Sequence, residues 1–125
     1  MRAVASDFCK VFVDAAAEPD VLAHIAVASL PNPSMAKLEH LGFASYVTYG
    51  DIEIDVSRNL DTSPEDEAPD AEFITWPMII EIEASEHVIE DELVGIVGSL
   101  LRSLWDKHFG AIAAADFEAR LPRQG

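Results

Sequence analysis

The chain has 125 residues, half of them hydrophobic, with 23 Asp and Glu against 8 Lys and Arg and a formal net charge of −15. That length and apolar content suit one domain with its own core. The charge excludes the usual basis of nucleic-acid binding, since neutralising phosphates requires Lys and Arg, and it disfavours anionic membranes. A basic protein or a cation is the favoured partner, drawn in by long-range attraction.

Residues 7–15 alternate as a first strand, with Cys9, Val11 and Val13 on one side. Cys9 is the only cysteine, so an intrachain disulfide is impossible and the residue reads as a small buried hydrophobe. Asp7, Lys10 and Asp14 interrupt the opening segment, which fits neither a signal peptide nor a membrane span, and a cytoplasmic location is expected. Glu18-Pro19-Asp20 marks a helix start that runs to Pro31. Ser34 then predicts the cap of a short second helix, with Met35, Leu38 and Leu41 on one face and Gly42 at its end.

Two strands are expected over 43–48 and 51–58, meeting at Tyr49-Gly50-Asp51; one long strand bent at Gly50 is the alternative. Residues 59–72, rich in acids and carrying two prolines, read as an exposed, mobile loop. A strand over 73–84 contains Pro77, which donates no ladder bond and suggests an edge or a bulge. Ser85 predicts the cap of the longest helix, 86–109, whose buried stripe includes Leu93, Ile96, Leu100 and Leu104. Gly95 and Gly98 beside that stripe suggest close approach to the sheet, and Gly110 is expected to end the helix. A last strand, 111–118, would carry Asp116 and Glu118.

This order predicts a single α+β domain over 1–125. The expected architecture is a two-layer sandwich with a mainly antiparallel sheet and helices on one face, ferredoxin-like with an added strand. Alternation then sorts the side chains. Ile52, Ile54 and Val56 go beneath the helices, while Asp51, Glu53 and Asp55 face the open side. Trp76, Met78, Ile80 and Ile82 share one side of the later strand, with Ile79, Glu81 and Glu83 on the other. If the two strands are neighbours, five carboxylates share the open face. Residues 51–92 hold 15 of the 23 acids and one basic residue, Arg58. Like charges facing each other across a sheet are destabilising, so such a face suggests a basic partner, with Asp66 and Glu67 of the loop added to its contacts.

No catalytic constellation is expected. His24, His40, His87 and His108 read as packing or helix-end residues, and without a His-x-x-x-His pair neither a zinc site nor a cofactor is predicted. Asn59 and the carboxylates are suitable donor types for magnesium or calcium, but no EF-hand spacing occurs. There is no Gly-x-Ser-x-Gly elbow or phosphate-binding glycine loop, so the chain is expected not to be an enzyme.

Three stretches together carry a resemblance: Ile52-Glu53-Ile54-Asp55-Val56 with Asn59; Trp76-Pro77 followed by Glu81-Ile82-Glu83; and Leu104-Trp105 leading to Ala114-Ala115-Asp116-Phe117-Glu118 and Leu121-Pro122. Over roughly its last two thirds the chain resembles a group of small acidic actinobacterial proteins of unassigned activity. In size, acidity and lack of catalytic residues it is also similar in physical type to bacterial immunity proteins. That likeness implies a non-enzymatic role, neutralising a basic toxin through the acidic sheet face. The alternative is a homodimeric regulatory domain binding a small molecule or a divalent metal.

Overall fold

A computed structural model describes residues 8–59, 76–115 and 117–122. Its strands are β1 (Phe8–Asp14), β2 (Lys37–Leu41), β3 (Ala44–Tyr49), β4 (Ile52–Arg58), β5 (Met78–Ala84) and β6 (Gly110–Ala115). Two helices, α1 (Pro19–Ser29) and α2 (Glu90–Asp106), follow β1 and β5. The strands form one antiparallel sheet in the order β2-β3-β4-β5-β1-β6. The segments β1-α1-β4-β5-α2-β6 alone give the ferredoxin-like order, β6-β1-β5-β4. The hairpin β2–β3 extends that sheet at the β4 edge, so two strands are added to the ferredoxin-like pattern.

The helices touch each other and lie on one face, α1 over β3 and β4, α2 beside β6. Between the layers sits one core: Cys9, Val11 and Val13 of β1, Ile52, Ile54 and Val56 of β4, Met78, Ile80 and Ile82 of β5, and the buried sides of both helices. Strand alternation builds the lower layer of this core. The i, i+3, i+4 spacing of Leu93, Ile96, Val97, Leu100, Leu101 and Leu104 builds the upper one.

Several local expectations are corrected. Of the helix expected after Ser34, only a 3-10 turn forms, Pro33–Met35. Residues 37–41 instead pair with β3, from Lys37 opposite Thr48 to Leu41 opposite Ala44. The connection is a two-residue turn with Gly42 at φ +65° and Phe43 at negative φ, a pattern suited to a type II′ hairpin. A second such turn, with Gly50 at φ +60°, joins β3 to β4 and excludes the single bent strand. Here ladder pairing outweighs the three-residue spacing of Met35, Leu38 and Leu41.

Helix α2 begins at Glu90 with Ile89 as its cap, because Ser85 makes a separate turn in which its oxygens accept from the amides of His87 and Val88. At the other end His108, at φ +67°, occupies the left-handed position in place of Gly110. The Phe109 amide donates to the Leu104 carbonyl and the His108 amide to that of Trp105, a Schellman closure. Gly98 faces Pro122, whose Cδ would lie 3.4 Å from an added Cβ, and Gly95 has open space; neither approaches the sheet. Pro77 immediately precedes β5, a central strand, so its missing donor removes no ladder bond. Strand β6 ends at Ala115, and Glu118 starts a 3-10 turn, so it does not extend the last strand. Asp116 and the loop 60–72 lie outside the described residues.

Candidate functional site: an acidic sheet face

Strands β4 and β5 are neighbours, which places the sequence-predicted carboxylates together. Their register sets Asp55 opposite Glu81 and Glu53 opposite Glu83. All four belong to the face away from the helices, because the alternate residues Ile52, Ile54, Val56, Ile80 and Ile82 are buried beneath them. Directly opposed residues in antiparallel strands have Cβ atoms about 4.5–5.5 Å apart, so the four form a compact quartet of like charge. Asp51 lies in the turn before β4 rather than on the strand, and its carbonyl accepts from the Ser85 amide at 3.0 Å. It lines an open depression of about 380 Å³ with Gly50, Glu53, Glu83, Ala84 and Ser85. Asp66 and Glu67 lie outside the described residues.

The register also brings in residues that strand alternation alone did not single out. The Asp55–Glu81 row continues on one side through Tyr46 to Glu39 and on the other to Lys10. Lys10 Nζ lies 3.7 Å from Glu81 Oε2 and 6.0 Å from the centroid of Phe12. The lysine offsets one charge of the quartet and bounds it on the β1 side. The signal for Glu39 was the alternation of Lys37, Glu39 and Leu41, masked by the helical reading of that segment.

The electrostatic consequence is visible at Asp55. Partial burial, then the negative charges of Glu53, Glu81 and Glu83, hold its carboxyl above the ordinary value of 3.8. Asp55 therefore gives up its proton less readily than a free aspartate, and the other three are part of the cause.

Two residues outside the acidic set shape the approach to β5. Trp76 does not continue the inward side of β5. Its ring lies over Gly110, where an added Cβ would sit 3.1 Å from it, and Gly110 pairs with Asp14 on the open face. Asn59 is buried; its side-chain amide donates to the Trp76 carbonyl at 2.8 Å, and its backbone amide donates to the Pro77 carbonyl at 2.8 Å. Those bonds fix the chain's entry into β5. Trp105 packs against the core as expected, with its indole N–H donating to the Ala111 carbonyl at 3.1 Å.

Among the described residues, no three His, Cys, Asp or Glu side chains converge closely enough to hold a metal ion, the quartet included. Cys9 is fully buried. No described helix is long and apolar enough to cross a membrane. Compared with protein-family models, curated proteins and solved structures, the chain matches none.

Proposed function

We propose that the chain is a non-enzymatic binding protein that engages a basic protein partner through the open faces of β4 and β5, in the manner of an immunity protein neutralising a toxin domain. The observation carrying this reading is the in-register opposition of Asp55 to Glu81 and of Glu53 to Glu83 on the exposed side of the sheet. Opposed like charges destabilise a sheet by a few tenths of a kcal/mol to about 1 kcal/mol per pair. Lys or Arg side chains of a partner would relieve that repulsion and form charge-assisted hydrogen bonds with the carboxylates. The net charge of −15 adds attraction at a distance and so a faster encounter.

The test is capture by immobilised protein from a bacterial lysate, compared with the double variant Glu53→Lys/Glu81→Lys. A basic protein retained in stoichiometric amount, released as salt rises and not retained by the variant, is the expected result. Co-expressing the captured protein in a heterologous host should then arrest growth, and the native chain should relieve the arrest. Equal retention by the variant would remove the acidic face. Retention without growth rescue would leave a binding protein and remove the immunity role.

A further inference from the structure

Residues 37–41 form the edge strand β2 beside α1. As part of β2, His40 faces the helix layer, opposite Ser45 of β3. There its ring lies 5.9 Å, centroid to centroid, from that of His24 on α1, tilted by 36°. Both residues are exposed. Each ring is oriented through Nδ1. His24 Nδ1 lies 2.7 Å from the Asp20 carbonyl oxygen, which can only accept, so this nitrogen donates and Nε2 is the position left for a metal in the neutral ring. His40 Nδ1 lies 2.6 Å from the hydroxyl of the buried Ser45. With that hydroxyl accepting, His40 also presents its lone pair at Nε2. A ring N–H held by a carbonyl or similar acceptor is the arrangement that fixes tautomer and orientation in histidine metal ligands.

The spacing suits one shared ion. With zinc–nitrogen bonds of about 2.0–2.1 Å, a ring centroid stands about 3.2 Å from the metal, so two ligating rings are about 5.2 Å apart at a tetrahedral angle and about 6.4 Å apart in a line. The observed 5.9 Å lies inside that interval. We propose that His24 and His40 form a surface site for one borderline-soft divalent transition-metal ion, of the zinc, nickel and copper class. Water completes the coordination, since among the described residues no third His, Cys, Asp or Glu joins them. The ion would tie α1 to the edge strand β2. Lying on the helix side of the sheet, the site is independent of the acidic face and of the function proposed for it.

The experiment is calorimetric titration of the untagged protein with zinc, then with magnesium as a hard-cation control. One zinc per chain is expected, with no comparable magnesium binding, and zinc should raise the melting temperature because it binds only the folded arrangement. His24→Ala and His40→Ala should each abolish saturable binding, and Ser45→Ala should weaken it about tenfold by freeing the ring it orients. Glu53→Gln/Glu81→Gln should leave it unchanged. With copper, electron paramagnetic resonance should show two nitrogen ligands in the native chain and fewer in either histidine variant. Undiminished zinc affinity in His24→Ala, loss in the carboxylate variant, or no binding by the native chain at millimolar zinc would overturn the site. His24 is exposed and its hydrogen bond is to its own helix, so its variant tests the proposal even if His40→Ala perturbs Ser45.

Discussion

Replacing Asp55 with asparagine should make the protein more stable at neutral pH, an unusual outcome for a polar change in a central strand. Three negative groups surround it: Glu81 directly opposite, Glu53 two residues along the same strand, and Glu83 on the diagonal. The opposed pair contributes about 0.5 kcal/mol of repulsion. Each of the others, about 7 Å away, contributes about 0.6 kcal/mol in water before screening. A Debye length of about 8 Å at physiological salt reduces each of those to about 0.25 kcal/mol. The sum is about 1 kcal/mol, or roughly 3–5 °C in melting temperature for a chain of this size. In 0.01 M salt, where the Debye length is about 30 Å, the gain should grow by roughly half.

The pH dependence has a definite sign. The Asp55 carboxyl is raised in the folded state above its ordinary 3.8, so across that interval the folded chain holds more of this proton than the unfolded chain. Stability therefore falls as pH rises through the interval; the cost is complete above it and absent below 3.8. The advantage of Asp55→Asn should be larger at neutral pH than in acid and vanish below about pH 4. Urea unfolding of both proteins at two salt concentrations and across this pH range measures it. A variant no more stable than the native chain at pH 7, or a gain indifferent to salt, would refute the electrostatic account of the quartet.

Two further changes test the framework that carries this face. His108→Gly should raise stability by about 1 kcal/mol in a urea titration, because glycine adopts the left-handed conformation at the end of α2 without the Cβ clash that His108 bears. Gly110→Ala should lower stability by about 1–3 kcal/mol, since the added methyl would meet the Trp76 ring at 3.1 Å and the Asp14 Cβ at 3.3 Å.

The legible parts of the fold are those where one side of an element is buried and the other is not. Ile52, Ile54 and Val56 alternate with polar residues because β4 lies under α1, and the same contrast exposed the acidic set. Strand β2 escaped recognition because it is an edge strand with little to bury: Leu38 is only partly covered, and Lys37, Glu39, His40 and Leu41 are exposed. With no burial contrast there is no period to read, and the chance three-residue spacing of Met35, Leu38 and Leu41 imitates a helix. Helix boundaries failed for a different reason. Ser85 and Gly110 are residue types that often end helices, yet here a turn uses the serine and packing under Trp76 accommodates the glycine. Adjacency of β4 and β5 was likewise beyond the sequence, since alternation fixes which face a side chain takes but not which strand lies beside it.

That adjacency separates two roles of charge that composition merges. Glu86, Glu90, Asp91 and Glu92 add to the net charge from the turn before α2 and its first turn, where two of them already hold Arg120 at 2.7 and 2.6 Å. Acids placed there strengthen the long-range field and are complemented locally by the helix dipole. The quartet on β4 and β5 has less local relief. Lys10 meets Glu81 at 3.7 Å, while Glu53 and Glu83 oppose each other on the same exposed face. A partner steered by the whole field would thus gain most by placing its cations on this strip, where they remove existing repulsion as well as forming new contacts. In the proposed complex, acids around α2 would govern mainly the association rate and its salt dependence. The quartet, desolvated if a partner docks there, would govern mainly the rate of dissociation.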